Sequence, residues 1–172
     1  MWVTLKSDII FVADGSLSAV RYAWSFDEMT SAFVTLSIKT QQKGVFTRAE
    51  LAPLAQANLL FLKGSDYFTN VKVNGIKHQF DLPIDYWLEF NEGILTLNFT
   101  IPFKSPVQTE TLELEVYDPS YFVDISFSEK APVVLVDAPS GCELLVTRQS
   151  WAQTANKVVI TCPSLPVPIG AN

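Results

Sequence analysis

The chain of 172 residues carries 12 Lys and Arg against 18 Asp and Glu, with a single His, for a net charge of −6. Hydrophobic residues make up 48% and charged ones 17%, enough apolar surface for one folded domain over residues 1–172 and too little charge for disorder. An acid excess without a basic cluster argues against nucleic acid or an anionic membrane surface as partner, and one His with two Cys rules out most His- or Cys-built metal centres.

From Trp2 to Val12, the residues Val3, Leu5, Ser7, Ile9 and Phe11 alternate with Trp2, Thr4, Lys6, Asp8 and Ile10, the period of a half-buried strand. Asp14-Gly15 reads as a turn and Ser18 to Trp24 as the returning strand of a hairpin. At Ser25-Phe26-Asp27-Glu28 the period changes. Ser25 and Glu28 have capping-box spacing, and Phe26, Met29, Phe33 and Leu36 lie three and four apart. This predicts a helix with that stripe inward and Thr30, Ser31 and Thr35 on the surface. Thr47-Arg48-Ala49-Glu50 repeats the capping pattern before Leu51, Leu54, Ala55 and Leu62, predicting a second helix closed by Gly64. Pro53 removes a backbone donor and is expected to delay the regular part of that helix to about residues 51–53. The pair makes a helix-loop-helix insertion over residues 25–64.

The segment from Lys39 to Glu50 has the length and punctuation of an EF-hand loop. Gly44 falls at the sharp turn, Phe46 at the apolar position and Glu50 at the bidentate acid. Loop positions one, three and five are Lys39, Gln41 and Lys43, where calcium requires oxygen ligands and is repelled by ammonium groups. The loop therefore reads as a degenerate scaffold not expected to bind calcium.

From Tyr67 onward the pattern is β. Val71 and Val73, the Asn74-Gly75 turn and Ile76 to Phe80 form one hairpin; Asp85 to Phe90 and Ile94 to Ile101 flank Asn91-Glu92-Gly93 in the next. Leu112, Leu114 and Val116 alternate with Glu113 and Glu115. Tyr121, Val123, Ile125 and Phe127 make a further strand, and Val133 to Val136 a short one. In the last hairpin, if Thr147 faces Lys157, the same register places Cys142 opposite Cys162. A disulfide there would close a loop of about 21 residues and point to an oxidising compartment; the other reading is two reduced thiols in a cytosolic core. Residues 163–172, with Pro163, Pro166 and Pro168, are expected to form an extended tail. The fold class is α+β, mainly antiparallel β, with β-sandwich-like sheets and an inserted degenerate EF-hand-like helix pair.

His78 has no second histidine or nearby cysteine and reads as a surface residue. Asp27, Glu28, Asp66, Asp85, Asp118 and Asp124 are scattered among different elements, with no spacing that makes an acid–base pair. The sequence holds no phosphate loop, nucleophile elbow or Cys-x-x-Cys, so it gives no reason to propose an enzyme or a cofactor. Trp24, Phe26, Tyr67, Phe68, Tyr86, Trp87, Tyr121 and Phe122 are expected mostly in the core.

Several blocks carry a family likeness: Tyr22-Ala23-Trp24-Ser25-Phe26-Asp27-Glu28-Met29, Ser31-Ala32-Phe33, Glu50-Leu51-Ala52-Pro53-Leu54-Ala55-Gln56, Asp66-Tyr67-Phe68-Thr69, the run from Leu112 to Val123, and Ala138-Pro139-Ser140-Gly141-Cys142. In this order they resemble the bacterial domain-of-unknown-function family numbered 1007, described as periplasmic components of an uncharacterised transport system. The resemblance implies export, removal of a signal peptide, a periplasmic location, and gene neighbourhoods that often include nickel or cobalt transporters. The expected role is a non-catalytic accessory or binding protein for divalent-metal (nickel, cobalt or zinc) transport, with an inner-membrane metal transporter as partner. The resemblance also implies a His-Pro-His start before the tryptophan matched by Trp2, and acids in the helix-connecting loop. This sequence begins at Met1 and has Lys39 and Lys43 in the loop, so no metal site is assigned to its residues. The alternative is a cell-envelope interaction or structural domain whose aromatic-rich face docks a partner without handling metal.

Overall fold

Two sheets and two helices arise from the two periods in the sequence. In the computed structural model, which describes residues 1–150 and 155–164, the chain runs β1 (Trp2–Phe11), β2 (Ser16–Phe26), α1 (Glu28–Thr35), α2 (Arg48–Gly64), β3 (Thr69–Val73), β4 (Ile76–His78), β5 (Ile84–Asn91), β6 (Ile94–Gln108), β7 (Thr111–Val116), β8 (Asp124–Phe127), β9 (Val133–Val136), β10 (Glu143–Thr147) and β11 (Asn156–Thr161). The first sheet has the order β5-β6-β2-β1, and the free edge of β1 is shared by β8 beside Trp2–Leu5 and β9 beside Ser7–Ile10. The second has the order β10-β11-β7-β3-β4. The fold is thus α+β and β-sandwich-like. Pairing is antiparallel except that β8 and β9 run parallel to β1. Neither reaches β1 through a hairpin; each arrives by a crossover, which is what parallel pairing demands.

One core fills the space between the sheets. Leu5, Tyr22, Trp24, Leu97 and Phe99 come from the first, and Val71, Leu112, Leu114, Val158 and Ile160 from the second. Two buried polar side chains tie the layers together. The Tyr22 hydroxyl lies 3.0 Å from Thr69 Oγ1, and burial drives the phenol's pKa upward. Asn156, fully buried on β11, donates to the Ile125 carbonyl of β8 at 2.6 Å and accepts from the Gln149 amide at 3.1 Å.

The predicted hairpins form, with Asn74-Gly75 and Glu92-Gly93 both at positive φ, as two-residue turns of this kind require. In the last hairpin Thr147 does pair with Lys157, and Cys142 and Cys162 are disulfide-bonded with Cα atoms 4.1 Å apart. Of the expected tail, residues 165–172 lie outside the described residues, as do residues 151–154 of the last hairpin's loop.

Several expectations are corrected. β2 continues through Ser25 and Phe26, and Ser25 shares a hydrogen bond with Thr96 on β6, so Asp27 rather than Ser25 caps α1. The α1 stripe of Met29, Phe33 and Leu36 faces solvent, while Ser31 and Thr35 are buried. The Ser31 hydroxyl makes the inward contact, accepting from the Leu95 amide at 3.0 Å, while Thr35 Oγ1 donates back within the helix to the Ser31 carbonyl at 2.8 Å. α2 begins at Arg48 and runs straight through Pro53. The Thr47–Glu50 capping box secures the first turn, and Pro53 forfeits only the bond to the carbonyl four residues back. Leu51, Ala55, Leu59 and Leu62 form its buried stripe, which packs beside β5. β8 starts at Asp124, leaving Tyr121 and Phe122 outside the strand and exposed. His78 is half-buried, its ring edge-on to that of Phe103 with the centroids 6.2 Å apart.

Candidate functional site

The loop between the helices shows how Glu50 is used. Its carboxylate accepts from the amides of Thr47 at 2.7 Å and Gln41 at 3.0 Å, with Thr40 Oγ1 at 3.4 Å. These bonds, those of the Thr47 and Gln41 amides foremost, hold the Glu50 carboxyl below the usual carboxylate range. Gly44 sits at φ +78° in the turn, and the side chains of Lys39, Gln41 and Lys43 are exposed. Glu50 therefore cements the loop to the start of α2, as a capping acid does. Arg48 leaves the loop to lie 4.4 Å over the ring of Trp87. Among the described residues no group of three or more His, Cys, Asp or Glu converges.

An apolar cleft of about 230 Å³ lies where α2, the start of β1, the end of β2 and the segment before β8 meet. Trp24 and Phe68 stack on its wall, centroids 6.1 Å apart at 16°, and Phe61 sets its edge against Phe68 at 6.2 Å. Phe61 and Phe122 stand at its mouth, 57% and 69% exposed. Two local devices place these rings. Asp66, Tyr67 and Phe68 all lie at positive φ, an uncommon left-handed turn for non-glycine residues that swings Phe68 inward after α2. Asp118, nearly buried, accepts from the amides of Ser120 at 2.8 Å and Val123 at 2.9 Å and from the Ser120 hydroxyl at 2.7 Å, shaping the loop that carries Phe122. Burial raises the carboxyl's pKa, but the Ser120 and Val123 bonds outweigh it, and the net shift is downward.

Trp24 adds one polar feature. Its indole N–H is buried and has no hydrogen-bond partner among the described residues, an arrangement that normally costs stability. A cleft of this lining accepts an apolar side chain or small apolar group. Sequence reasoning did not find it, because its residues come from positions as distant as 3, 24, 61, 68 and 122.

The disulfide residues Cys142 and Cys162 sit at the far end of β11 from Asn156, and the predicted loop residues Lys39, Gln41, Lys43, Gly44 and Glu50 are not part of the cleft. No helix among the described residues is long and apolar enough to cross a membrane. The chain is 27% identical over 121 residues to an uncharacterized 15.5 kDa protein from the trpE 3' region of Spirochaeta aurantia, covering 69% of this chain and 86% of the relative. It is 23% identical over 134 residues to an uncharacterized protein of Haemophilus influenzae, covering 77% of this chain and 64% of that relative. The family model for the protein of unknown function DUF1007 matches residues 1–162, and the chain belongs to that family.

Proposed function

We propose that the protein is a non-catalytic accessory or binding protein of the cell envelope, periplasmic and associated with divalent-metal transport of nickel, cobalt or zinc through an inner-membrane transporter. The observation that carries the binding role is the apolar cleft with Phe61 and Phe122 held open at its mouth. Exposed aromatic rings beside a preformed apolar hollow are the anchor geometry of a partner site. The Cys142–Cys162 bond supports a working place outside the reducing cytoplasm. The metal association rests on the family resemblance. The accessory role is contact with the transporter, since the helix-connecting loop presents Lys39 and Lys43 where an ion-binding loop presents oxygens.

A photo-crosslinking residue placed at position 122 in the full-length protein, combined with uptake of nickel, cobalt and zinc by cells lacking the gene, tests this reading. A crosslink to an inner-membrane metal transporter, lost in the Phe61→Ser variant, together with reduced uptake of one metal, is the expected result. Unchanged uptake of all three metals overturns the metal association. The second reading is an interaction domain without metal handling, favoured by the two lysines in the loop, and a crosslink to an envelope protein unrelated to transport selects it.

A further inference from the structure

We propose that the protein pairs with a second copy of itself through the free edge of β10, joining their second sheets into one continuous sheet. β10 (Glu143–Thr147) ends its sheet and is paired on one side only, with β11. Among the described residues its backbone makes no hydrogen bond beyond that pairing, so its outward N–H and C=O groups form an open ladder. The side chains are left incomplete in the same way. Leu144 and Val146 lie opposite Ile160 and Val158 of β11, both fully buried, and so belong to the core face of the sheet. Leu144 is nevertheless 38% exposed, because no strand lies beyond it, and Leu145 on the outer face is 63% exposed. The other edges are guarded. β4 has three residues with Lys77 at its centre, and β5 shifts register between Ile84 and Trp87 and carries Asp85 and Glu89. β8 has four residues and opens on Asp124, and β9 has four between Pro132 and Asp137. Shortness, charge, proline and bulges are the devices that keep sheet edges apart. β10 carries a single charge, at its first residue.

An open ladder selects an extended strand as its occupant, and the sequence of β10 is complementary to itself. In an antiparallel pair about a two-fold axis, residues of equal parity stand opposite each other, so core face meets core face and outward backbone groups meet outward groups. With the axis at Leu145, that residue faces the second copy's Leu145, Leu144 faces its Val146, and Glu143 faces its Thr147, so no two charges are opposed. Moving the axis to Leu144 sets Glu143 against Leu145, and moving it to Val146 sets Arg148 against Leu144. The register centred on Leu145 is therefore the one that covers both exposed leucines with apolar partners. The Cys142–Cys162 bond ties the residue before β10 to the residue after β11, which holds the edge extended before a partner strand arrives. Five residues from each copy make a small interface, so the dimer is weak and dissociates on dilution. No residue of β10 lines the aromatic cleft, so the dimer presents two open clefts and does not depend on what they bind.

Sedimentation velocity of the full-length protein over a concentration series tests the proposal. The wild type is expected to shift from monomer to dimer as concentration rises. Leu145→Lys sets two like charges against each other at the axis and raises the dimer dissociation constant by about ten-fold or more. Because the Leu145 side chain is exposed, this variant keeps the wild-type circular dichroism and melting temperature. Leu145→Cys, oxidised at a concentration where the dimer forms, is expected to link the two copies through position 145, whereas Leu36→Cys, on the 81% exposed residue of α1's end, does not. A wild type that stays monomeric at every concentration, a dimer indifferent to Leu145→Lys, or equal cross-linking through positions 145 and 36 overturns the proposal. A dimer that Phe33→Ser abolishes and Leu145→Lys leaves intact overturns it as well and assigns the contact to α1.

Discussion

Asp27 joins three pieces of the chain through one carboxylate. It accepts from the Trp2 amide at 2.9 Å, the Thr30 amide at 2.7 Å and the Thr30 hydroxyl at 2.8 Å. The bond from the Trp2 amide, followed by that from Thr30, lowers its pKa to about 2 from the ordinary 3.8. Because the folded value is depressed, the contribution of Asp27 is complete above the unfolded value and is lost as pH falls through about 2. The stability gap between wild type and Asp27→Asn, read by urea denaturation, is therefore expected to be constant near neutrality and to close between about pH 4 and pH 2. The choice between Ser25 and Asp27 as cap was not legible in the sequence. Both side chains cap helices well, and what removes Ser25 is its hydrogen bond to Thr96, a residue 71 positions away. Asn156 poses the same problem in sharper form. A polar residue at the start of a strand looks unremarkable in sequence, yet it is fully buried and bonds across to Ile125. Asn156→Ala leaves the Gln149 amide and the Ile125 carbonyl without this partner and is expected to cost about 2–4 kcal/mol in denaturant melts.

The two helices differ in how much of them could be read locally. α2 carries a capping box whose reciprocal bonds join Thr47 and Glu50, and the four-residue spacing gave its start. Thr47→Ala is expected to lower stability by about 1 kcal/mol, measured by chemical denaturation. Pro53 was expected to delay the helix, but the sequence offers no measure of how strongly the cap and the buried stripe of Leu51, Ala55, Leu59 and Leu62 oppose one lost hydrogen bond. α1 misleads because its pattern is sound and its orientation is not. Met29, Phe33 and Leu36 define an apolar face, and periodicity cannot tell whether that face meets the core or the outside. The orientation follows from Ser31, which satisfies the Leu95 amide. Ser31→Ala is therefore expected to destabilise the fold by about 1–3 kcal/mol by orphaning a buried donor, whereas Phe33→Ser changes stability by no more than about 0.5 kcal/mol. Thermal melts of the two variants side by side check both, and the order is the reverse of what hydrophobicity alone predicts.

At the scale of the whole molecule, the disulfide closes the end of the second sheet by linking residues 20 apart in sequence. In the chain-entropy description a loop of this size contributes about 3 kcal/mol. Replacing both Cys142 and Cys162 by Ser is expected to lower the melting temperature by about 10 °C in calorimetry, and a reductant to do the same to the wild type but nothing to the variant. The sequence by itself determined the strand periods, the Asn74-Gly75 and Glu92-Gly93 turns, the second helix cap and, through the register of the last hairpin, the facing of the two cysteines. Each of these depends on residues close along the chain or on counting along one antiparallel pair, and the physics that sets them is correspondingly local. Only the tertiary structure decided the outward face of α1, the parallel approach of β8 and β9 to β1, and the cleft where Trp24, Phe61, Phe68 and Phe122 meet. These depend on which distant segments come to cover a given side chain, because burial is a property of the assembled layers and not of the residue or its neighbours in sequence.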